Sequence, residues 1–187
     1  GSYYGNHNIC STIKDPENKL FSYKTGKDIV AMVNTKFSGS TIYSVLQDAV
    51  GQRTVYGINL TGGQIVQSLY EPVSAPGFDK ATTFAFHSQY PYMFYNNGDK
   101  VYSYHLINHT ANVGITLSDE EVTMVKFNLF YHAPGATFNK SDEFMAQQYM
   151  LIVGSYKKNS TDGNGGVLRF YKFDQATGSL TLTDTYE

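Results

Sequence analysis

Short segments in which apolar and polar residues alternate recur along this chain. The clearest are VYGINL at 55–60, VYSYHL at 101–106 and LRFYKF at 168–173, and a weaker copy is LFSYKT at 20–25. Each has the two-residue period of a half-buried strand. Since no stretch shows sustained helical periodicity, the pattern predicts an all-β protein.

The three stronger copies also share their flanking segments. Each follows a turn rich in Gly, Asn or Asp, and another apolar strand lies before the turn, which is the pattern of a hairpin. One more strand precedes each hairpin and one follows it. These outer strands occupy 28–37, 81–87 and 121–130 upstream, and 64–70, 110–117 and 179–186 downstream. The sequence therefore predicts three units of four antiparallel strands.

The spacing of these units is typical of propeller blades. The aromatic strands begin 46 residues apart (101 − 55) and then 67 apart (168 − 101), and an insertion at 132–146 explains the longer interval. Four-stranded repeats of roughly 40 to 50 residues indicate a β-propeller. We predict one propeller-like domain over 1–187. Its parts are a half blade at 1–27 and blades at 28–71, 79–118 and 119–187.

How such a ring would close is left open by the sequence. A propeller usually needs about four blades, and three and a half are predicted. The favoured interpretation is a fragment of a longer propeller, because the chain ends straight after a strand at Tyr186. The alternatives are a small irregular ring completed by the first hairpin, and an open stack whose sheet edges pair in a dimer.

Composition narrows the function classes. The 187 residues carry 14 Lys and Arg against 16 Asp and Glu, and a net charge of −2 gives no electrostatic basis for nucleic-acid binding. No segment approaches the roughly 18 apolar residues of a transmembrane helix. The single cysteine, Cys10, cannot form an internal disulfide or a thiolate metal cluster. No cofactor or metal is expected.

Catalytic motifs are missing from the sequence. It contains no Gly-x-Ser-x-Gly elbow, phosphate loop or dinucleotide fingerprint. His105 and His109 lie four residues apart, but on a strand that runs into a turn and without a third ligand, so they indicate surface histidines rather than a metal site. An enzyme would need acids that converge on one propeller face. The candidate acids are Asp28, Asp79, Glu120 and Glu121.

Aromatic residues follow the first strands of two predicted blades. Loops after equivalent strands emerge on the same face of a propeller, where aromatic rings can stack on sugars or anchor a protein. These loops supply the predicted ligand-binding residues, which are Tyr90, Tyr92, Tyr131, His132 and Phe138. The alternative is that the same rings pack the insertion onto the blades.

The aromatic strands and turns also carry a family resemblance. They read KATTFAFH at 80–87, YMFY at 92–95 and GDKVYSY at 98–104, with similar segments at 41–46, 56–58, 151–156 and 166–171. Together they resemble the C-terminal part of the PKD-like family of bacterial lipoproteins. The resemblance implies a propeller-like region and no known enzymatic activity. It also implies a bacterial envelope location, at the outer-membrane surface or in the periplasm, with a lipid anchor upstream in the full-length protein.

These observations favour a non-enzymatic binding or interaction module of an envelope lipoprotein, with a glycan or a protein as ligand. The alternative is a glycan-active hydrolase or lyase. A third interpretation is a structural spacer whose aromatic residues only fill the core. The resemblance transfers no functional residue, so the choice among the three rests on the site.

Strand phase gives one further prediction. Phe84 and Phe86 alternate with Thr83 and Ala85, so the two rings are expected to face a core between blades. Truncation of either ring to Ala should then cost about 3 to 5 kcal/mol. Thr83 and Ala85 should lie on the opposite face and tolerate change better.

Overall fold

The computed structural model describes residues 6–10, 19–24, 27–34, 41–61, 64–72, 75–87, 89–130, 148–161 and 165–187. Within these ranges every regular element is a β-strand except one short 3₁₀ turn, Phe78–Lys80. The strands of the described residues form one two-stranded sheet and three four-stranded antiparallel sheets. The all-β class predicted from the alternation is confirmed.

The chain divides into two compact units, and the first is Gly1–Ser74. Its first sheet pairs β1 with β2, and its second sheet pairs β3 to β6 in sequence order. Four consecutive residues of β4, at 43–46, are buried, so this strand is covered on both faces. The strands are β1 (Asn6–Cys10), β2 (Lys19–Lys24), β3 (Asp28–Asn34), β4 (Thr41–Gln47), β5 (Arg53–Thr61) and β6 (Gln64–Pro72).

The second unit, Ala75–Glu187, holds the third and fourth sheets. In both sheets the strands again pair in sequence order, so the last strand of each is an edge strand. The third sheet consists of β7 (Phe84–Phe86), β8 (Tyr92–Asn97), β9 (Lys100–His105) and β10 (Thr110–Thr116). The fourth consists of β11 (Glu120–Phe130), β12 (Gln148–Lys157), β13 (Gly166–Phe173) and β14 (Leu180–Tyr186).

A hydrophobic core joins the third and fourth sheets. The ring of Phe94 stacks on that of Phe127 with centroids 5.6 Å apart, and meets Phe173 edge-on at the same distance. Complete burial of such side chains contributes about 1.5 to 3 kcal/mol each. The buried members of this core are Ala85, Phe94, Val101, Ile115, Val122, Val125, Leu151, Val153, Tyr171 and Phe173.

The phase expected for β7 is wrong. Ala85 is buried in the core between the third and fourth sheets, while Phe84 packs edge-on against Phe78, with ring centroids 5.8 Å apart. Phe86, like Phe84, keeps intermediate exposure. The reason lies in the register, since Ala85 sits opposite Phe94 of β8. That large ring fills the space in front of β7, so a small residue fits there.

A buried carboxamide links the same two sheets. Oδ1 of Asn96 accepts hydrogen bonds from the backbone N–H groups of Thr82 and Thr83, at 2.8 and 3.1 Å. Its Nδ2 donates to the Thr82 hydroxyl and to the carbonyl of Val122, at 2.9 and 3.0 Å. A buried amide with all these bonds made stabilises the fold, whereas a partly bonded one would destabilise it.

Three strand ends in this unit use the same side-chain turn. Nδ1 of His87 accepts the backbone N–H groups two and three residues further along, at 2.9 and 3.2 Å. Nδ1 of His105 does so at 3.2 and 3.1 Å, and Oδ1 of Asp174 at 2.8 and 3.3 Å. Because Nδ1 is an acceptor in both histidines, each neutral imidazole carries its proton on Nε2.

Candidate ligand-binding groove

A groove of about 480 Å³ opens beside the outer strands of the third sheet. Its floor is built from residues that lie directly opposite each other on β8, β9 and β10 and therefore point to the same face. One such row is Tyr92, His105 and Thr110, and the next contains Ser103 and Asn112. Residues 177–180, which comprise the end of the turn after β13 and the first residue of β14, form the opposite wall.

The second row shows how the core gives way to a groove. Phe94 lies opposite Ser103 on β9, and Ser103 lies opposite Asn112 on β10. The row thus passes from a fully buried ring to a buried hydroxyl and then to an exposed carboxamide. The fourth sheet does not cover the outer part of this face. The residues there are polar, as is usual for positions in contact with solvent.

Tyr92 marks the boundary between the core and the groove. Its half-buried ring meets His105 edge-on at 4.9 Å and Phe173 edge-on at 5.1 Å. Gly178 of the opposite wall has φ of 72°, and a Cβ added there would lie 3.0 Å from the Tyr92 hydroxyl. The positive φ favours glycine at this position, and the turn lies close against the tyrosine ring.

The imidazole of His105 presents a neutral hydrogen-bond donor at this site. Partial burial and the neighbouring His109 lower its pKa from the ordinary value, so the uncharged form dominates at pH 7. His109 is itself in contact with Tyr104, whose hydroxyl lies 3.1 Å from its Nδ1. With Nδ1 of His105 used in the turn, its Nε2–H is the group left to meet a ligand.

His87 has the same turn but quite different surroundings. It is completely buried, and its ring lies 4.4 Å from both Phe127 and Tyr149 and 5.2 Å from Phe173. Its Nε2 has no hydrogen-bond acceptor among the residues described. Because burial disfavours the charged imidazole, the pKa of His87 falls to about 4. We call His87 and these three rings, together with Tyr90, the His87 cluster.

The predicted aromatic site is divided by the structure. Tyr92 lines the groove, whereas Tyr90 packs edge-on against His87, with centroids 4.9 Å apart. Tyr131, His132 and Phe138 lie outside the described residues. Tyr90 therefore packs within the His87 cluster, whereas packing of the insertion at 132–146 onto the blades stays a prediction.

Several groove residues were not predicted from the sequence. Ser103 and Asn112 are polar residues inside strands, and Asn108 lies in the turn between these strands. A usable signal was present, because Val101, Ser103 and His105 alternate on one face of β9 and change from apolar to polar along it.

Two of the four acids considered for catalysis, Glu120 and Glu121, form ion pairs. Glu120 is buried and accepts two bonds from Arg169, at 2.5 and 2.8 Å, and one from the Ser155 hydroxyl at 2.7 Å. The bonds from Arg169 and Ser155 lower the pKa of Glu120, so it stays an anion. The next residue, Glu121, points to the other face and lies 3.3 Å from Lys158.

The remaining two candidate acids belong to other elements. Asp79 is on the exposed surface of the 3₁₀ turn Phe78–Lys80, and Asp28 begins β3 in the first unit. Across the part of the chain that the structure describes, no three His, Cys, Asp or Glu side chains come together in a way that could hold a metal ion. No helix found there is long and apolar enough to cross a membrane.

Comparison with known proteins places the fold. No protein-family model matches the chain. No curated protein matches it either. Among solved structures, the WD40 domain of SCAP from fission yeast is similar, with a TM-score of 0.54 and 13% sequence identity. The similarity covers 99% of this chain but 46% of that one, so this chain spans about half the length of the structure it matches.

The fold is β-propeller-like. The match supports the four-stranded antiparallel sheets as blades of the kind found in WD40 domains, as the repeat pattern predicted. At this level of identity the likeness concerns architecture alone, because one fold supports many functions. Function has to be argued from the groove.

Proposed function

We propose that this chain is a binding module that holds a ligand in the groove of the second unit and does not transform it. The observation that carries the proposal is the groove itself, where one aromatic ring and several accessible hydroxyl, carboxamide and imidazole groups line about 480 Å³. A volume of this size lies in the range typical of ligand sites, and convergent polar groups fix the orientation of a ligand. Propeller blades provide a rigid frame for them.

The hydrolase or lyase alternative has less support. Glycoside hydrolysis needs two carboxyl groups, one of which must carry a proton near neutral pH. Glu120 cannot serve as that acid, because its ion pair with Arg169 stabilises the carboxylate. Among the described residues that line the groove, none is an Asp or a Glu. The site is built to make hydrogen bonds rather than to transfer protons.

A paired assay tests binding against catalysis. The purified chain would be applied to glycan and peptide arrays, and the same preparation would be incubated with polysaccharides while new reducing ends are measured. We expect saturable binding on one array and no turnover. Turnover without retained ligand would contradict the proposal, as would the lack of any binding or turnover by a folded chain.

We further propose that the chain belongs to a lipoprotein of the bacterial envelope, as its resemblance to the PKD-like family implies. The full-length protein should incorporate a palmitate analogue and fractionate with membranes. A cytosolic, unlabelled protein would contradict this location. Pairing of two copies through sheet edges also stays a prediction, and light scattering of the purified chain would test it.

A further inference from the structure

The groove carries no formal charge on the side chains described for it. Its polar lining consists of hydroxyls, carboxamides and the His105 imidazole, whose pKa is lowered by burial. A phosphate, a carboxylate or an ammonium group would lose hydration on entering and gain no opposite charge in return. The site therefore matches an uncharged ligand.

The exposed groups of the groove both donate and accept hydrogen bonds. Asn108 and Asn112 present carboxamides, and Thr110 and Ser179 present hydroxyls, all on exposed residues. A carboxamide offers two donor hydrogens and a carbonyl acceptor, and a hydroxyl offers one hydrogen and two lone pairs. A ligand rich in hydroxyl groups offers the same mixture, so its polar groups can be satisfied in many orientations.

An aromatic platform stands at the end of this polar row. The ring of Tyr92 lines the groove and is fixed by Phe173 on the core side and by Gly178 of the opposite wall. A fixed ring loses little conformational entropy on binding and offers apolar surface with a hydroxyl at its tip. Flat apolar surface beside hydroxyl and amide groups suits a sugar ring, whose C–H face is apolar and whose rim is polar.

An extended peptide is a poorer fit. A peptide strand would bind by adding to the edge of β10, which requires a regular row of backbone groups. The register of β10 shifts between Val113 and Ile115, which disturbs the regular backbone spacing beside the groove. The groove instead presents the side-chain face of β10, through Thr110 and Asn112.

We infer that the ligand of the groove is a neutral segment of glycan, hydrogen-bonded by Asn112 and His105 and packed against Tyr92. This inference rests on the proposed function and names its ligand class. Asn112 is the residue to test, because it is exposed and lines the groove. Tyr92 and His105 also support the fold, through their ring contacts and the turn at His105.

The experiment is a calorimetric titration of the purified chain against three probes. These are neutral oligosaccharides of several linkages, anionic polygalacturonate and a set of uncharged peptides. Asn112→Ala is compared with Asn128→Ala, since Asn128 is exposed on β11 outside the groove and its Oδ1 accepts a local hydrogen bond from the N–H of Leu129. We expect a neutral oligosaccharide to bind, about 3- to 10-fold more weakly after Asn112→Ala and unchanged after Asn128→Ala.

The outcomes separate the inference from the proposed function. If peptides bind, glycans do not, and peptide binding is lost in Asn112→Ala, then the inference of a glycan ligand is wrong and the proposed binding function stands. Preference for polygalacturonate would also overturn the inference. Glycan binding that is unchanged by Asn112→Ala would show that the ligand does not bind in the groove. If none of the probes binds, both the inference and the proposed function are contradicted. Unchanged thermal melting of both variants shows that the fold is intact.

Discussion

Two histidines of the third sheet form the same turn, His87 directly after β7 and His105 at the end of β9, yet they lie in opposite environments. His87 is sealed among four aromatic rings, and His105 lines a polar groove. In each, Nδ1 accepts two backbone N–H groups. The local geometry is therefore decided by the sequence near each histidine, whereas its role is decided by what the fourth sheet places over it.

The difference teaches how one sheet face serves both packing and recognition. Near Phe94 the fourth sheet covers this face, and its aromatic rings pack against Phe94. Along the row from Ser103 to Asn112 the fourth sheet no longer covers the face, and the side chains are polar. Substitutions in the covered part should change stability, and those in the open part should change binding.

The largest effect is expected for His87→Ala. This change leaves a cavity among the rings and removes the acceptor of two backbone bonds, so the free energy of unfolding should fall by about 3 to 4 kcal/mol. Urea denaturation measures it. A loss below about 1 kcal/mol would show that the His87 cluster does not support the fold as described.

Acid should weaken the protein through the same residue. The pKa of His87 is about 4 in the folded chain and near 6.5 in the unfolded one, so the unfolded state binds more protons between these values. Stability from this group is complete above pH 6.5 and falls by about 3 kcal/mol as the pH drops to 4. Melts from pH 7 to 4 would show this.

His87→Asn is the matched variant for the acid experiment. Its Oδ1 can replace Nδ1 as the turn acceptor, but the side chain does not titrate. The variant should be less stable at pH 7 and should lose this part of the pH dependence. If the free energy of unfolding falls equally steeply with pH in both proteins, groups other than His87 cause the decrease.

The contrast extends to two asparagines. Asn96→Ala removes the partner of two part-buried N–H groups, of Thr82 and Thr83, and of the buried Val122 carbonyl, and should cost about 2 kcal/mol. Asn112→Ala should change stability by less than about 0.5 kcal/mol, because this residue is exposed. Chemical denaturation of the two variants in parallel compares them, and equal losses would contradict the division into covered and open parts.

The smallest change in stability among the histidine variants is expected for His105→Ala. Its turn lies at the surface, so the loss of two backbone bonds should cost about 1 kcal/mol. Ligand binding should suffer more than folding does. A stability loss as large as that of His87→Ala, with ligand affinity retained, would make His105 a structural residue only.

Much of the fold could be predicted from the sequence because strand alternation is a local signal. The segments at 101–106 and 168–173 correspond closely to β9 and β13. The phase of β7 could not be predicted, since it depends on Phe94 of the neighbouring strand. The Glu120–Arg169 ion pair joins residues 49 positions apart, which no local pattern reveals.

The site was harder to predict than the fold. Aromatic character alone gives no reason to distinguish Tyr90 from Tyr92. In the structure Tyr90 packs against His87, whereas Tyr92 lines the groove. The groove's wall at 177–180 comes from another sheet. Such a wall follows from tertiary packing and not from residue type.

The most direct test of the binding groove is NMR of the imidazole and carboxamide side chains during titration with the tightest-binding neutral oligosaccharide. Signals of His105 and Asn112 should shift and saturate together, while those of His87 and Asn96 stay in place. Shifts that spare His105 and Asn112, or that appear only at a different surface, would contradict the assignment of the groove as the ligand site.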